Sequence, residues 1–115
     1  MENNPKEILN YITPDGKIPF EEWLNSLRDI NARTKIKARL RRVELGNLGD
    51  YKTVGGGVCE LRINYGKGYR IYFGQVGSVI IILLSGGDKD TQQNDIQKAK
   101  QYWLNYQRSQ NNGNY

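Results

Sequence analysis

Two stretches of the chain put arginines where phosphate chemistry could use them. Cys59, Leu61, Ile63 and Tyr65 alternate with Glu60, Arg62 and Asn64, the period-2 pattern of a half-buried strand whose polar side chains share one face. In Tyr69-Arg70-Ile71-Tyr72-Phe73 the same alternation puts Tyr69, Ile71 and Phe73 on a core face and Arg70 and Tyr72 on the other. Tyr65-Gly66-Lys67-Gly68 joins the two. Residues directly opposite in an antiparallel pair point to the same side of a sheet, so core must meet core. Pairing Ile63 with Tyr69, or Leu61 with Ile71, puts Arg62 opposite Arg70. The connection then has an odd number of residues, three or five, with Gly66 or Gly68 at positive φ. Two like charges side by side repel and call for an anion. Glu60, on the same face, is one candidate as a structural counter-ion. A phosphate is the other, because an arginine fork matches its oxygens bidentately. Tyr72 either stacks on a base or packs beneath a helix.

A second concentration of positive charge lies upstream. Arg33, Lys35, Lys37, Arg39, Arg41 and Arg42 fall within ten residues that contain no acidic side chain. They form either a solvated helix face with long stems packed along it or an electrostatic footprint for RNA or the ribosome. Lys67, in the loop between the arginine strands, joins the RNA-binding candidates. The whole chain carries 17 Lys and Arg against 12 Asp and Glu, a net charge of +5 and a pI near 9.4, which favours an acidic or polyanionic partner.

Histidine is absent and there is one cysteine, so the commonest general base and the commonest zinc ligands are missing; neither a metal nor a cofactor is expected. Cys59 cannot form an intramolecular disulfide, and its place in an apolar alternation suggests a buried thiol in a reducing compartment, by default the cytoplasm. The longest apolar run, Val79 to Leu84, is far shorter than the roughly twenty residues of a membrane-spanning helix, and the polar, acidic N-terminus is unlike a secretory signal. Gly55-Gly56-Gly57 lacks the lysine and hydroxyl of a phosphate loop and reads as a flexible connection.

The elements that must position these side chains follow from periodicity. One domain is expected over 1–115, with its core at about 6–108 and a disordered polar tail at 109–115. Ile8 to Ile12, ending at Thr13-Pro14-Asp15-Gly16, reads as a first strand. Pro19 opens a helix with Phe20, Trp23, Leu24 and Leu27 on one side, ending near Asp29. A second helix has Ala32, Ile36, Leu40 and Val43 on one face and stops at Gly46 and Gly49. Val79 to Leu84, apolar throughout, suits a central strand covered on both faces, and Ser85-Gly86-Gly87-Asp88-Lys89 leaves the sheet. Asp90 or Thr91 then caps a last helix bearing Ile96, Ala99, Trp103 and Tyr106. The expected fold is α+β: a small, antiparallel-rich sheet of about four strands packed with two N-terminal helices and a C-terminal helix.

Gly57-Val58-Cys59-Glu60-Leu61-Arg62-Ile63, Gly66-Lys67-Gly68-Tyr69-Arg70-Ile71-Tyr72-Phe73 and Leu83-Leu84-Ser85-Gly86-Gly87-Asp88-Lys89, followed by Gln92 and Asp95-Ile96, resemble the RelE/ParE superfamily of toxins. The resemblance is closest to the phage-derived, HigB-like (Gp49-like) addiction module killer proteins. It runs nearly from Lys6 to Arg108, and it implies a RelE-like fold and the toxin of a type II toxin–antitoxin system. A toxin of this kind is neutralised by a cognate antitoxin, of helix-turn-helix type in this branch, and operator DNA is met only through that complex. In ribosome-dependent members the toxin is an endoribonuclease that cuts mRNA in the decoding site. Arg70 matches the strand arginine of RelE-type toxins, Arg62 falls near their strand lysine, and Lys89 falls near the basic residue after the last strand. Asp95 stands near the place of the RelE-type tyrosine, and the histidines of other HigB toxins have no counterpart. Glu60 and Asp95 are therefore the candidates for the general base, with a lysine or tyrosine as further possibilities. The resemblance leaves two alternatives: a ParE-like gyrase inhibitor, or an inactive or domesticated module.

Overall fold

The computed structural model describes residues 4–112. One mixed sheet of five strands lies between helices: β1 (Glu7–Asn10), α1 (Pro19–Ser26), α2 (Ile30–Glu44), β2 (Tyr51–Gly55), β3 (Val58–Ile63), β4 (Tyr69–Val76), β5 (Ile80–Gly87) and α3 (Gln92–Asn112), the last entered through a 3-10 turn at Lys89–Thr91. The strand order is β1-β5-β4-β3-β2. β1 runs parallel to β5, and every other neighbour is antiparallel. The architecture is α+β and compatible with the expected RelE-like fold, with one more strand than the periodicity indicates.

The added strand is β2. It forms a hairpin with β3 through Gly55, Gly56 and Gly57, all at positive φ, so the three glycines make a tight turn rather than a loose connection. An edge strand with one face open to water has no alternation to betray it: Tyr51, Lys52 and Thr53 are all exposed. The β3–β4 hairpin has the register that its pattern demands. Ile63 pairs with Tyr69, Arg62 with Arg70 and Leu61 with Ile71. Five residues, Asn64 to Gly68, connect them, with Gly66 at φ 55 and Gly68 at φ 76.

β5 is central and apolar, and its side chains divide between two cores. Ile81 and Leu83 join Leu61, Ile71 and Phe73 beneath Phe20, Leu24, Ile36 and Val43 of α1 and α2. Ile82 and Leu84 join Val58, Tyr72, Ala99 and Trp103 under α3. Contrary to expectation, β5 continues through Ser85 and Gly86 to Gly87. These two glycines are strand residues because large neighbours occupy the space above them. A Cβ on Gly86 would overlap the Trp23 ring, and one on Gly87 the Asp95 carboxylate.

Three helix boundaries also differ from the sequence reading. α1 ends at Ser26, and Asp29 instead caps α2 by accepting a hydrogen bond from the Ala32 amide at 3.1 Å. Asp88, rather than Asp90 or Thr91, starts the last helical segment: its carboxylate accepts from the Asp90 and Thr91 amides while Thr91 returns a capping-box contact. α3 runs to Asn112, so residues 109–112 are helical where a disordered tail was expected. Ser109 and Gln110 face Asn10, Tyr11, Ile12 and Pro14 across a cleft, which gives the last turns a surface to lie against. Residues 113–115 of that tail lie outside the described residues. Among the described residues no helix is long and apolar enough to cross a membrane.

Candidate functional site

Beneath the first turns of α3, the alternation of β3 and β4 brings Glu60, Arg62, Arg70 and Tyr72 to one face of the sheet. Glu60 is fully buried. Its Oε1 accepts a hydrogen bond from Arg62 Nε at 3.3 Å. Its Oε2 accepts from the Tyr72 hydroxyl at 3.0 Å and from Gln92 Nε2 at 2.8 Å. Arg70 Nε stands 4.0 Å from the same oxygen. Burial alone pushes the Glu60 carboxyl upward, but the hydrogen bonds from Gln92, Tyr72 and Arg62 and the charge of Arg70 together hold it below the ordinary value. An ionised carboxylate with both oxygens engaged acts here as the counter-ion of the arginine pair.

The two arginines are held differently. The Arg62 side chain is 32% exposed and that of Arg70 10%, so Arg62 reaches the rim while Arg70 forms the wall. Arg70 Nε has no hydrogen-bond partner among the described residues. Arg70 and the exposed Lys89 border one shallow cleft of about 300 Å³ together with Asn64, Tyr65 and Gly66. Gly68 is what lets Lys89 lie there: at φ 76 it is a left-handed position, and an added Cβ would come within 2.7 Å of Lys89 Cδ.

Asp95 reaches the same face from α3. Its carboxylate covers Gly87, the residue paired with Arg70, and accepts a hydrogen bond from the Thr91 hydroxyl. Burial, only partly offset by that bond and by Lys98, raises its pKa, and Asp88 raises it further. The two candidate carboxylates are therefore shifted in opposite directions.

Tyr72 departs from its expected base-stacking role, and Arg39 is largely buried rather than part of a solvated basic face. Tyr72 is completely buried within the α3 core, so it packs beneath the helix and cannot stack on a base. Burial, then the charge and hydrogen bond of Glu60, push its phenol far up. Arg39 is 7% exposed, and its Nη2 donates to the Asp50 carbonyl at 3.0 Å while its guanidinium lies over Gly49. It faces the interior because it follows Ala32 and Ile36 on the inward side of α2. Lys35, Lys37, Arg41 and Arg42 are exposed on α2, as is Lys67 in the hairpin loop. Arg41 pairs with Glu44 at 3.3 Å, and Lys35 Nζ stands 5.0 Å from the centre of the Tyr65 ring.

Two contributors escaped the periodicity argument. Gln92 meets Glu60 across 32 residues of chain, a contact that no local pattern encodes. Ser85 pairs with Tyr72 while Leu83 pairs with Phe73, leaving Leu84 as a bulge between them. The bulge resets the alternation and turns the Ser85 hydroxyl to the Tyr72 side, where it is buried without a partner among the described residues. Cys59 is half-buried rather than fully enclosed, and burial raises its thiol pKa. Among the described residues no group of three or more Cys, Asp or Glu side chains is placed to hold a metal ion.

This geometry sits in a stretch of chain shared with other proteins. A family model described as phage-derived protein Gp49-like matches residues 22–103, from α1 to the Trp103 turn of α3. An uncharacterized protein of Haemophilus influenzae is 48% identical over 83 residues, which is 72% of this chain and 84% of that protein. The chain belongs to the phage-derived Gp49-like family, within the RelE/ParE-like toxins of addiction modules.

Proposed function

We propose that this toxin is an endoribonuclease that cuts mRNA on the ribosome, and that a cognate antitoxin of helix-turn-helix type silences it. The observation that carries the reading is the arginine pair: Arg62 and Arg70 lie directly opposite on adjacent strands, with a single buried carboxylate between them. An acidic ligand completes that charge balance, and Lys89 on the rim adds a third positive group.

The reaction is attack of a ribose 2′-hydroxyl on the adjacent phosphorus. The bond from phosphorus to the 5′-oxygen breaks, and the products are a 2′,3′-cyclic phosphate and a 5′-hydroxyl. Arg70 and Arg62 hold the nonbridging oxygens, where negative charge accumulates, in positions set before the substrate arrives. Lys89 stabilises the charge on the departing 5′-oxygen, which takes a proton from solvent water to become the 5′-hydroxyl. Asp95 takes the proton of the 2′-hydroxyl, because its raised pKa brings it closer to the useful range for a base. Glu60, enclosed and held ionised, positions the arginines instead. The exposed cations of α2 and Lys67 draw in the RNA backbone and ribosomal RNA.

The test is brief induction of wild type, Arg70→Lys and Arg62→Ala in a bacterial host, with mRNA 5′ ends mapped within minutes. The expected result is new ends inside translated frames with wild type. Arg70→Lys retains the charge but not the fork, and its cutting falls by about 10² to 10³, the usual cost of losing one preorganised donor. Growth arrest without cuts overturns the nuclease reading in favour of a gyrase inhibitor, and absence of arrest points to an inactive module.

A further inference from the structure

The basic face of α2 contains one position that differs from a merely solvated surface. Between α2 and β3 lies a cleft of about 350 Å³ bordered by Lys35, Arg39, Arg42, Arg62 and Asn64. Four of these side chains are cationic, and no carboxylate borders the cleft among the described residues. Arg39 is more than nine-tenths buried, yet its Nη1 has no hydrogen-bond partner among the described residues. Buried guanidinium donors are costly to leave unmet, and clustered like charges add to that cost. Asp50 offsets part of it through its charge and its carbonyl, and Glu60 engages Arg62 through Nε. The cleft itself remains a concave, purely positive site with Arg39 in its lining.

Its position relative to the arginine pair indicates what fills it. Asn64 borders both this cleft and the one holding Arg70 and Lys89. Arg62 belongs to the first and lies opposite Arg70 of the second. Tyr65, part of the second cleft, has its ring against Lys35 of the first. We propose that the α2–β3 cleft is a second phosphate subsite, taking a neighbouring phosphodiester of the same single RNA strand while Arg70 and Lys89 hold the scissile one, with Arg62 shared between them. The strand's identity as RNA rests on the ribonuclease reading; the anion chemistry of the cleft does not.

The test uses the full-length toxin and 5′-labelled single-stranded oligonucleotides of two to five nucleotides, 2′-O-methylated so that no nucleophile is present. Binding is followed by fluorescence anisotropy over a range of salt. Affinity is expected to rise by about tenfold or more once the strand spans both clefts, and Lys35→Gln/Arg42→Gln to abolish that rise. The salt slope is expected to fall by roughly 0.7 for each lost phosphate contact. Lys37→Gln/Arg41→Gln removes the same charge from the same helix outside the cleft and is expected to keep the rise. If both double variants behave alike, or if affinity does not depend on length, the subsite is wrong even where mRNA cuts are found. If the rise is lost only in the cleft variant while no cuts are found, the subsite stands and the nuclease reading falls.

Discussion

The two faces of β3 and β4 are made from alternate residues of the same two strands, yet they are held by different physics. Toward α1 and α2, Leu61, Ile63, Ile71 and Phe73 meet Phe20, Ala32, Ile36 and Val43, while the buried Arg39 of α2 lies beside Gly49 and Asp50. Toward α3, the face is apolar only at one end, where Val58 and Ile82 meet Trp103; at the other it holds Glu60, Arg62 and Arg70. The first face gains free energy in proportion to buried area and is insensitive to direction. The second recovers the cost of burying a carboxylate only while each oxygen has its donors in place. Stability is carried by both faces, but geometric precision is demanded by the charged one, where each pairing depends on direction and distance.

Glu60→Ala gives the largest expected effect, because it leaves Arg70 buried and unpaired and removes the acceptor of Tyr72 and Gln92. A loss of about 3–5 kcal/mol in urea denaturation is expected, comparable with the roughly 2–5 kcal/mol of Leu61→Ala on the opposite face. A loss below about 1 kcal/mol for Glu60→Ala breaks the comparison, since the carboxylate then contributes no net pairing. Gly86→Ala and Gly87→Ala sharpen it on a smaller scale. Gly86→Ala drives a methyl into the Trp23 ring on the apolar side and is expected to cost about 1–3 kcal/mol. Gly87→Ala meets the end of the Asp95 side chain, which can swing aside, so it is expected to cost less stability while lowering cleavage; equal stability losses with unchanged cleavage would remove Asp95 from the site.

Acid titration gives the smallest effect and separates the two carboxylates by sign. Glu60 is held below its ordinary 4.5, so its contribution to stability is present above pH 4.5 and is lost as pH falls through the depressed folded value. Asp95 is raised above 3.8, so its contribution is complete below pH 3.8 and is lost as pH rises through the raised value. Denaturation between pH 3 and 7 is therefore expected to show a flatter acid limb for Glu60→Gln than for wild type, and a gain in stability at neutral pH for Asp95→Asn. An unchanged acid limb in Glu60→Gln contradicts the depressed pKa.

Much of this was legible locally. The β3–β4 register followed from two apolar alternations and the rule that core faces core, and Arg62 beside Arg70 came with it. The edge strand β2 left no such mark, since its exposed Tyr51, Lys52 and Thr53 obey no period. Gly86 and Gly87 looked like a turn because glycine is ambiguous in sequence: it permits a bend and equally permits a close approach, and only Trp23 and Asp95 decide which. Tyr72 could be assigned to the arginine face but not to burial or exposure, because its cover comes from α3, which lies downstream in the chain.

The sequence by itself determined which side chains share a face, since a strand's period of two and the parity of an antiparallel pair are local rules. It also determined the positive balance of the chain and its family resemblance. Tertiary structure alone decided how those charges are met: Glu60 enclosed by Gln92 from α3, Arg39 buried against Gly49 and Asp50, and Asp95 laid over Gly87. The physical reason is that desolvation and pairing depend on what comes within a few ångströms in space, and the groups that do so here are separated by up to 32 residues of chain.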